Sequence, residues 1–312
     1  MARISVLLAV YNVEAYVAEA LESIQSQTFS DIEIVVVDDG STDGTLRIVE
    51  QMALLDPRIK IVRVRRNLGL SYALNLGLGF CYAPFIARID GDDIALPTRL
   101  EKQLRFLEKN SDIAIVGCAC SLIDQFGSPI PGVGISFKPV TQEAITKTML
   151  LSTPCCHVWL ARRETYAALS NYREMPLAED HDFLLRAVSA GFQLGNLPEA
   201  LMQIRTRPGQ VSSCLPQMKA YYYVVALHRE RVQHGKDSFS LANYARAIKS
   251  GKVEEAFFCF AQRCNRRGFQ SGNKLIRYSL ACLSAILSPW QARYFIRRAR
   301  FNMVWREVMR LS

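Results

Sequence analysis

The 312-residue chain contains no run of about 18 apolar residues, so no conventional membrane-spanning helix is expected. It has no C-x-x-C pair and no H-E-x-x-H among its four histidines, which removes the common zinc sites. Its nine cysteines are odd in number and irregularly spaced. A disulfide scaffold is therefore not expected, and a reducing cytoplasm is the default compartment. Neither G-x-x-x-x-G-K-S/T nor G-x-G-x-x-G occurs, so the two common phosphate-binding loops are missing. No internal repeat or low-complexity linker is visible. The apolar start, Ile4 to Tyr11, is short and lacks a small-residue cleavage site, so it reads as a buried strand and not a signal peptide.

What is present is globular. Half the residues are apolar and 21% are charged, enough for a sizeable core in one large domain or two. The net charge of +9 is unevenly spread. Residues 221–312 hold 17 Lys/Arg against 5 Asp/Glu, whereas residues 1–220 hold 21 against 24. A basic last third suits a polyanionic partner such as a membrane surface; the bland alternative is a solvated basic face.

Strand and helix patterns alternate through the first 116 residues. Strands are expected at Ile4–Tyr11, Ile32–Val37, Ile59–Val64, Phe85–Ile89 and Ile113–Val116. Helices are expected from Asn12 as a cap, from Thr42 to Leu55, from Ser71 to Ala83, and from Pro97 to about Lys109. That order implies an α/β fold with a mostly parallel sheet. Residues 118–140 read as short strands and loops. Helices follow near 141–151, 162–170 and Asp182–Ala190, with short strands over 192–204. From about Gln217 the chain reads as wholly helical, giving a catalytic domain over 1–216 and a basic helical extension over 217–312.

In an open parallel sheet, ligands bind at the carboxyl ends of the strands. Four polar clusters sit there: Val10-Tyr11-Asn12, Asp38-Asp39-Gly40-Ser41, Arg66-Asn67-Leu68-Gly69, and Asp90-Gly91-Asp92-Asp93. Any one of them is an ordinary turn, but four in succession converge on one rim. Asp90 and Asp92 stand one residue apart and can face a hard cation, Mg²⁺ or Mn²⁺, which commonly shares its oxygen ligands with substrate phosphates. Asp39-x-Ser41-x-Asp43-Gly44 mimics a calcium loop, yet the strand Ile34–Val37 precedes it where an EF-hand needs a helix. Downstream, Glu179-Asp180-His181-Asp182 opens a helix, as a dipole-stabilised first turn or as the carrier of a general base.

The order and spacing of these clusters resemble glycosyltransferase family 2. Pro154 with His157, Arg162-Arg163, Phe183-Leu184-Leu185-Arg186, Leu197-Pro198-Glu199 and Arg205-x-x-Pro208-Gly209-Gln210-Val211-Ser212 fit the same pattern. The resemblance covers about residues 3–214. It implies a GT-A fold: a nucleotide-binding, mostly parallel sheet continued into a mixed, acceptor-side sheet. It implies a nucleotide-diphosphate sugar donor, with UDP the commonest nucleotide, an inverting reaction, and Mn²⁺ or Mg²⁺. By that resemblance Val10, Tyr11 and Asn12 hold the base, and Asp39 or else Asp38 bonds its edge. Asn67 lines the nucleotide site, and Asp90 reaches the ribose or donor sugar. Asp92, with Asp90, binds the metal, and Asp180, with Glu179 beside it, supplies the base. His181 departs from the family, which often has an aromatic there. The family's pattern is silent on residues 221–312.

Two other functions use similar features. A nucleotidyltransferase also sets paired acids on Mg²⁺, but Ala9-Val10-Tyr11-Asn12 is not its glycine-rich loop. A degenerate transferase acting as a scaffold would not need the acids at 39, 90, 92 and 180. Nothing in the chain suggests a nucleic-acid partner. In the tail, Leu275–Leu287 and then Trp290, Tyr294, Phe295, Phe301 and Trp305 lie among Arg293, Arg297, Arg298, Arg300 and Arg306. Aromatic and arginine side chains on one helix suit a lipid interface. The expectation is a cytoplasmic protein whose residues 251–312 lie on the inner face of the membrane near a lipid-linked glycan acceptor. The competing reading is a helical appendage that packs on the catalytic domain or on a second subunit.

Overall fold

The computed structural model describes residues 2–207, 214–270 and 273–311. The chain divides into two compact units, one of Met1–Thr146 with Thr153–Gln210, the other of Lys147–Ser152 with Val211–Ser312.

The first unit opens with β1 (Ile4–Val10), α1 (Val17–Gln25), β2 (Ile32–Asp38), α2 (Thr45–Leu55), β3 (Ile59–Arg63), α3 (Leu70–Leu78) and β4 (Phe85–Asp90). It continues through β5 (Ile94–Ala95), α4 (Arg99–Lys109), β6 (Ile113–Ile123), α5 (Gln142–Thr148), β7 (Leu160–Arg162), α6 (Arg163–Ala168), α7 (Glu179–Ser189) and β8 (Gln193–Arg205). One eight-stranded sheet runs in the order β3-β2-β1-β4-β7-β6-β8-β5. Strands β3, β2, β1 and β4 pair in parallel, while β7 is antiparallel to both its neighbours.

The central strands are apolar on both faces because helices cover both. Side chains alternate across β1: Ile4, Val6, Leu8 and Val10 join one core and Leu7 the other. The first core takes in Val17, Leu21 and Ile24 of α1 with Leu100 and Leu104 of α4. The second takes in Ala73 and Leu74 of α3 with Phe183 and Leu184 of α7.

Several boundaries differ from the sequence expectations. Asn12 does not cap α1, which starts at Val17 with Tyr16 as its cap. Asn12 is instead left-handed, at φ +50°, and bonds the neighbouring loop. Asparagine tolerates that conformation better than most residues. Pro97 precedes α4, whose cap is Thr98, and α3 stops at Leu78 before Gly79. The expected short strand at 113–116 runs on to Ile123, since it gains a long parallel partner in β8. That partner is one strand where several short ones were expected. Helix α7 begins three residues before Asp182, so Glu179 and Asp180 sit in its first turn.

The second unit holds α8 (Leu215–His234), α9 (Leu241–Ile248), α10 (Lys252–Gln270), α11 (Lys274–Leu287) and α12 (Pro289–Leu311). Helix α10 packs along α11, and α11 against α12.

Candidate active site

The loops after β1, β2 and β3 interlock through backbone and side-chain hydrogen bonds. The Asp39 N–H donates to the Val10 carbonyl at 2.9 Å. The Asn12 N–H donates to Ser41 Oγ at 3.1 Å, and Asn12 Oδ1 accepts from the Thr42 N–H at 2.8 Å. The buried Asp39 carboxylate accepts from the backbone N–H groups of Leu68 (2.9 Å) and Gly69 (2.8 Å). Asp38, also buried, accepts from the Ser41 N–H within its own turn. Gly40, at φ +72°, lies against Arg66, where a Cβ would come within 2.6 Å of backbone atoms. Tyr11 and Asn67 remain exposed at the rim. These bonds set three of the four polar clusters side by side.

The fourth cluster follows β4. At Gly91 a Cβ would lie 2.7 Å from Val10 Cγ1, so glycine lets the β1 and β4 ends close up. Asp93 Oδ1 accepts from the Arg205 N–H at 2.9 Å, and Asp93 Oδ2 lies 3.1 Å from His157 Nε2. His157 Nε2 is also 3.5 Å from Asp90 Oδ2. Asp90, Asp93 and His157 therefore each offer a ligand atom within 4.8 Å of the others, a set able to hold a metal ion. Asp92 is turned elsewhere: its Oδ2 accepts from Arg207 Nε at 2.7 Å. Burial pushes the Asp93 carboxyl up to about 6, against the opposing pull of His157. Burial works against charge on His157 too, but the surrounding acceptors outweigh it and raise its pKa well above the ordinary value.

Arg88 joins this cluster to α7. Its side chain is almost wholly buried, with Nε 3.2 Å from Asp90 Oδ1 and Nη2 3.0 Å from Glu179 Oε1. Burial disfavours charge on Asp90, but Arg88 outweighs it and holds the carboxyl below its usual range. Glu179 is driven the other way, its pKa raised by burial despite Arg88 and raised further by Asp180. Helix α7 is anchored behind this pair by aromatic packing. Phe183 stacks on Trp159 and Tyr166 at 5.7 and 4.8 Å, and Trp159 Nε1 donates to the Tyr166 hydroxyl at 2.9 Å. The guanidinium of Arg88 lies over the Trp159 and Tyr172 rings. Asp182, fully buried, is paired with Arg186 at 2.7 Å and serves the helix itself. Asp180 is half-buried, and its Oδ1 accepts from the His181 N–H.

Chemically, the arrangement separates two adjacent acids. Glu179 is locked to a buried cation, whereas Asp180 stands at the helix entrance beside it. The clusters at 10–12, 38–41, 66–69 and 90–93 and the start of α7 are brought to one rim. Arg88, Asp93 and Arg207 were not singled out as individual site residues by sequence reasoning. Arg88 carried a signal: a lone arginine in Phe85-Ile86-Ala87-Arg88-Ile89, two residues from Asp90 and hence on the same strand face. Arg207 carried none. The expected match at Pro208-Gly209-Gln210-Val211-Ser212 lies outside the described residues.

Comparison with known proteins agrees with this geometry. The chain is 39% identical over 208 residues to EpsE of Bacillus subtilis, which bears a glycosyltransferase name; the match covers 65% of this chain and 73% of EpsE. It is 33% identical over 212 residues to the amylovoran biosynthesis glycosyltransferase AmsE of Erwinia amylovora, covering 67% of this chain and 78% of AmsE. Among solved structures, S. aureus TarS 1–349 in complex with UDP-GlcNAc superposes with a TM-score of 0.62 at 19% identity, covering 98% of this chain and 90% of that one. The mannosyltransferase PcManGT from Pyrobaculum calidifontis, in complex with GDP-Man and Mn²⁺, gives 0.58 at 17% identity, covering 98% and 87%. Both neighbours share the GT-A fold seen here. Residues 5–169 match the family model of glycosyl transferase family 2. The chain belongs to that family and is a GT-A-fold glycosyltransferase.

Proposed function

We propose that this protein transfers a sugar, with inversion, from a nucleotide-diphosphate donor to a hydroxyl of a glycan or lipid-linked glycan. A UDP-sugar is the expected donor, as in the TarS complex with UDP-GlcNAc, and AmsE belongs by name to polysaccharide biosynthesis. One observation carries the reading: Arg88 bridges Asp90 at the sheet rim to Glu179 in the first turn of α7. That bridge to Glu179 supports the adjacent Asp180 as the base beside the donor end of the site. The transfer work is assigned to residues 1–216, with 217–312 as an extension.

In the proposed step the acceptor hydroxyl attacks the anomeric carbon. A new glycosidic C–O bond forms as the bond to the diphosphate oxygen breaks, and Asp180 takes the hydroxyl proton. Val10, Tyr11 and Asn12 hold the nucleotide base, with Asp39 or Asp38 at its edge and Asn67 lining the same rim. Asp90 orients the ribose or donor sugar. Its place beside Asp93 and His157 gives two carboxylates and an imidazole, a donor set that suits Mn²⁺ and, through its oxygens, Mg²⁺. Asp92 joins that set only by exchanging Arg207 for the cation. When bound, such a cation supplies charge that offsets the departing diphosphate.

Two measurements test the reading. In a thermal-shift panel of nucleoside diphosphates with and without Mn²⁺, the cognate nucleotide raises Tm, since a ligand bound to the native state stabilises it. Donor hydrolysis then releases free sugar and nucleoside diphosphate. Pyrophosphate chemistry, or no turnover of any sugar nucleotide, would overturn the assignment. If Asp92 exchanges Arg207 for the cation, Asp92→Ala abolishes the Mn²⁺-dependent part of donor binding by calorimetry; unchanged affinity leaves Asp90, Asp93 and His157 as the ligands.

A further inference from the structure

The C-terminal helices expose more apolar side chains than a water-facing bundle needs. On α11, Leu275, Ser279, Cys282 and Ile286 follow at steps of four, three and four residues and form one exposed face. Leu275 is 76% exposed and Ile286 80%, and the flanking Ile276, Tyr278 and Leu283 are exposed as well. The opposite face carries Ser284, fully buried, and Ser288, 3% exposed. The Ser284 hydroxyl has no hydrogen-bond partner among the described residues. Along α10, Val253, Phe257 and Phe260 follow at steps of four and three and are also exposed. Helix α10 buries Phe258 and Ala261 on its inner side, so the exposed stripe is a second apolar face, which water does not select.

Part of the sequence argument for this region is altered by the structure. Trp290 and Tyr294 do not present themselves on a lipid-facing stripe. Trp290 Nε1 donates to Glu254 at 2.8 Å and its ring packs under Arg293 at 4.7 Å. Arg297 lies over Tyr221 at 3.9 Å, and Arg298 donates to the Tyr294 hydroxyl. The aromatic and arginine side chains at the start of α12 therefore hold the helices together. The surface without a covering element is that of α11 and α10.

We propose that the outer face of α11, with the exposed stripe of α10, docks on an anionic lipid bilayer. The charge decides between the occupants. Residues 221–312 carry a net +12, so a second copy would bring like charge onto like charge, whereas acidic headgroups complement it. No helix among the described residues is long and apolar enough to cross a membrane. The face therefore lies in the interface, with Leu275 and Ile286 entering the acyl boundary and the exposed Lys252, Arg263 and Arg267 of α10 facing headgroups. A chain held at a bilayer is held where a lipid-linked acceptor resides; the docking itself does not depend on the transfer reading.

The test is flotation of the full chain with vesicles of phosphatidylcholine alone and of phosphatidylcholine with about one part in three phosphatidylglycerol. The chain floats with the anionic vesicles and stays soluble with the neutral ones. Leu275→Asp with Ile286→Asp lowers the bound fraction at least about tenfold. Leu54→Asp with Leu55→Asp, at two still more exposed leucines on α2, leaves it unchanged. Circular dichroism melting of both variants checks that they fold, and unchanged donor hydrolysis keeps a failure of docking distinct from a failure of transfer. A chain that ignores anionic vesicles overturns the proposal, as does flotation that the α11 variant leaves intact. A dimer that the α11 variant splits, without vesicle binding, assigns the face to a second copy and overturns it too.

Discussion

Ser5 in β1 and Ser284 in α11 are both fully buried, yet their hydroxyls differ in what they meet. The Ser5 hydroxyl donates to Glu33 at 2.5 Å and accepts from the Ala83 N–H at 3.1 Å. Glu33 in turn accepts from Lys60 and from the Tyr82 N–H. Ser284 sits in an equally dry place with no such partner among the described residues, on a helix whose Leu275, Ile276, Leu283 and Ile286 point outward. The sheet unit is not matched throughout, since Ser71 Oγ and Thr165 Oγ1 are also buried without a partner among the described residues, although Arg88 there bonds both Asp90 and Glu179. The helical unit buries Phe258 and Ala261 and yet leaves Leu275 and Ile286 outside. The two serines therefore differ in their partners, and the helical unit differs in carrying an exposed apolar face on α11.

Six substitutions sharpen or break that comparison, and the largest effect belongs to the rim of the sheet. Asp180→Asn keeps the shape but removes the proposed base, so donor affinity is expected to stay while kcat falls by roughly 10²–10⁴. If Glu179→Gln loses transfer and Asp180→Asn does not, the base is the other carboxylate. Arg88→Met comes next. It strands Asp90 and Glu179 without their shared cation, and breaking a buried pair of this kind costs about 3–5 kcal/mol. Urea unfolding measures that loss. A transfer assay adds the positioning role: kcat falls more than donor affinity, and Arg88→Lys, which restores charge without the fork, recovers stability better than rate.

Smaller effects come from the two serines. Ser5→Ala leaves the Ala83 N–H short of an acceptor and is expected to cost about 1–3 kcal/mol. Ser284→Ala removes a buried hydroxyl that gains nothing, so its effect is within about 1 kcal/mol and of stabilising sign. Chemical denaturation of both variants reads the difference. Equal costs would mean that the Ser284 hydroxyl is matched as well as that of Ser5, and the comparison would fail.

Much of the fold was legible along the chain. The β-branched run at Ile34–Val37 and the period-two and period-3.6 patterns are local signals, and each became the element it implied. The polar clusters were legible for the same reason: they stand directly after strands. Boundaries that depend on a partner were not. Asn12 looked like a cap because its chemistry suits one, yet Ser41 and Thr42 claim it from the next loop. The strand at Ile113 looked four residues long because its extension exists only through pairing with β8.

The same division holds at the site and in the tail. Local sequence determined which residues could do chemistry: acids at strand ends, and a pair of acids at the start of a helix. Only the tertiary structure decided which acid keeps company with which cation. Arg88 and Glu179 are 91 residues apart, and His157 and Asp93 are 64 apart. No periodicity reports on such pairs, since their energy depends on burial and distance in the folded chain. The tail's charge was written in its composition, but which of its apolar side chains face outward was settled by helix packing. Trp290, Arg293 and Arg297 were drawn into contacts within the helical unit, and Leu275 and Ile286 were left on the outside. A single helix with apolar residues all round has no preferred inner face until its neighbours choose one.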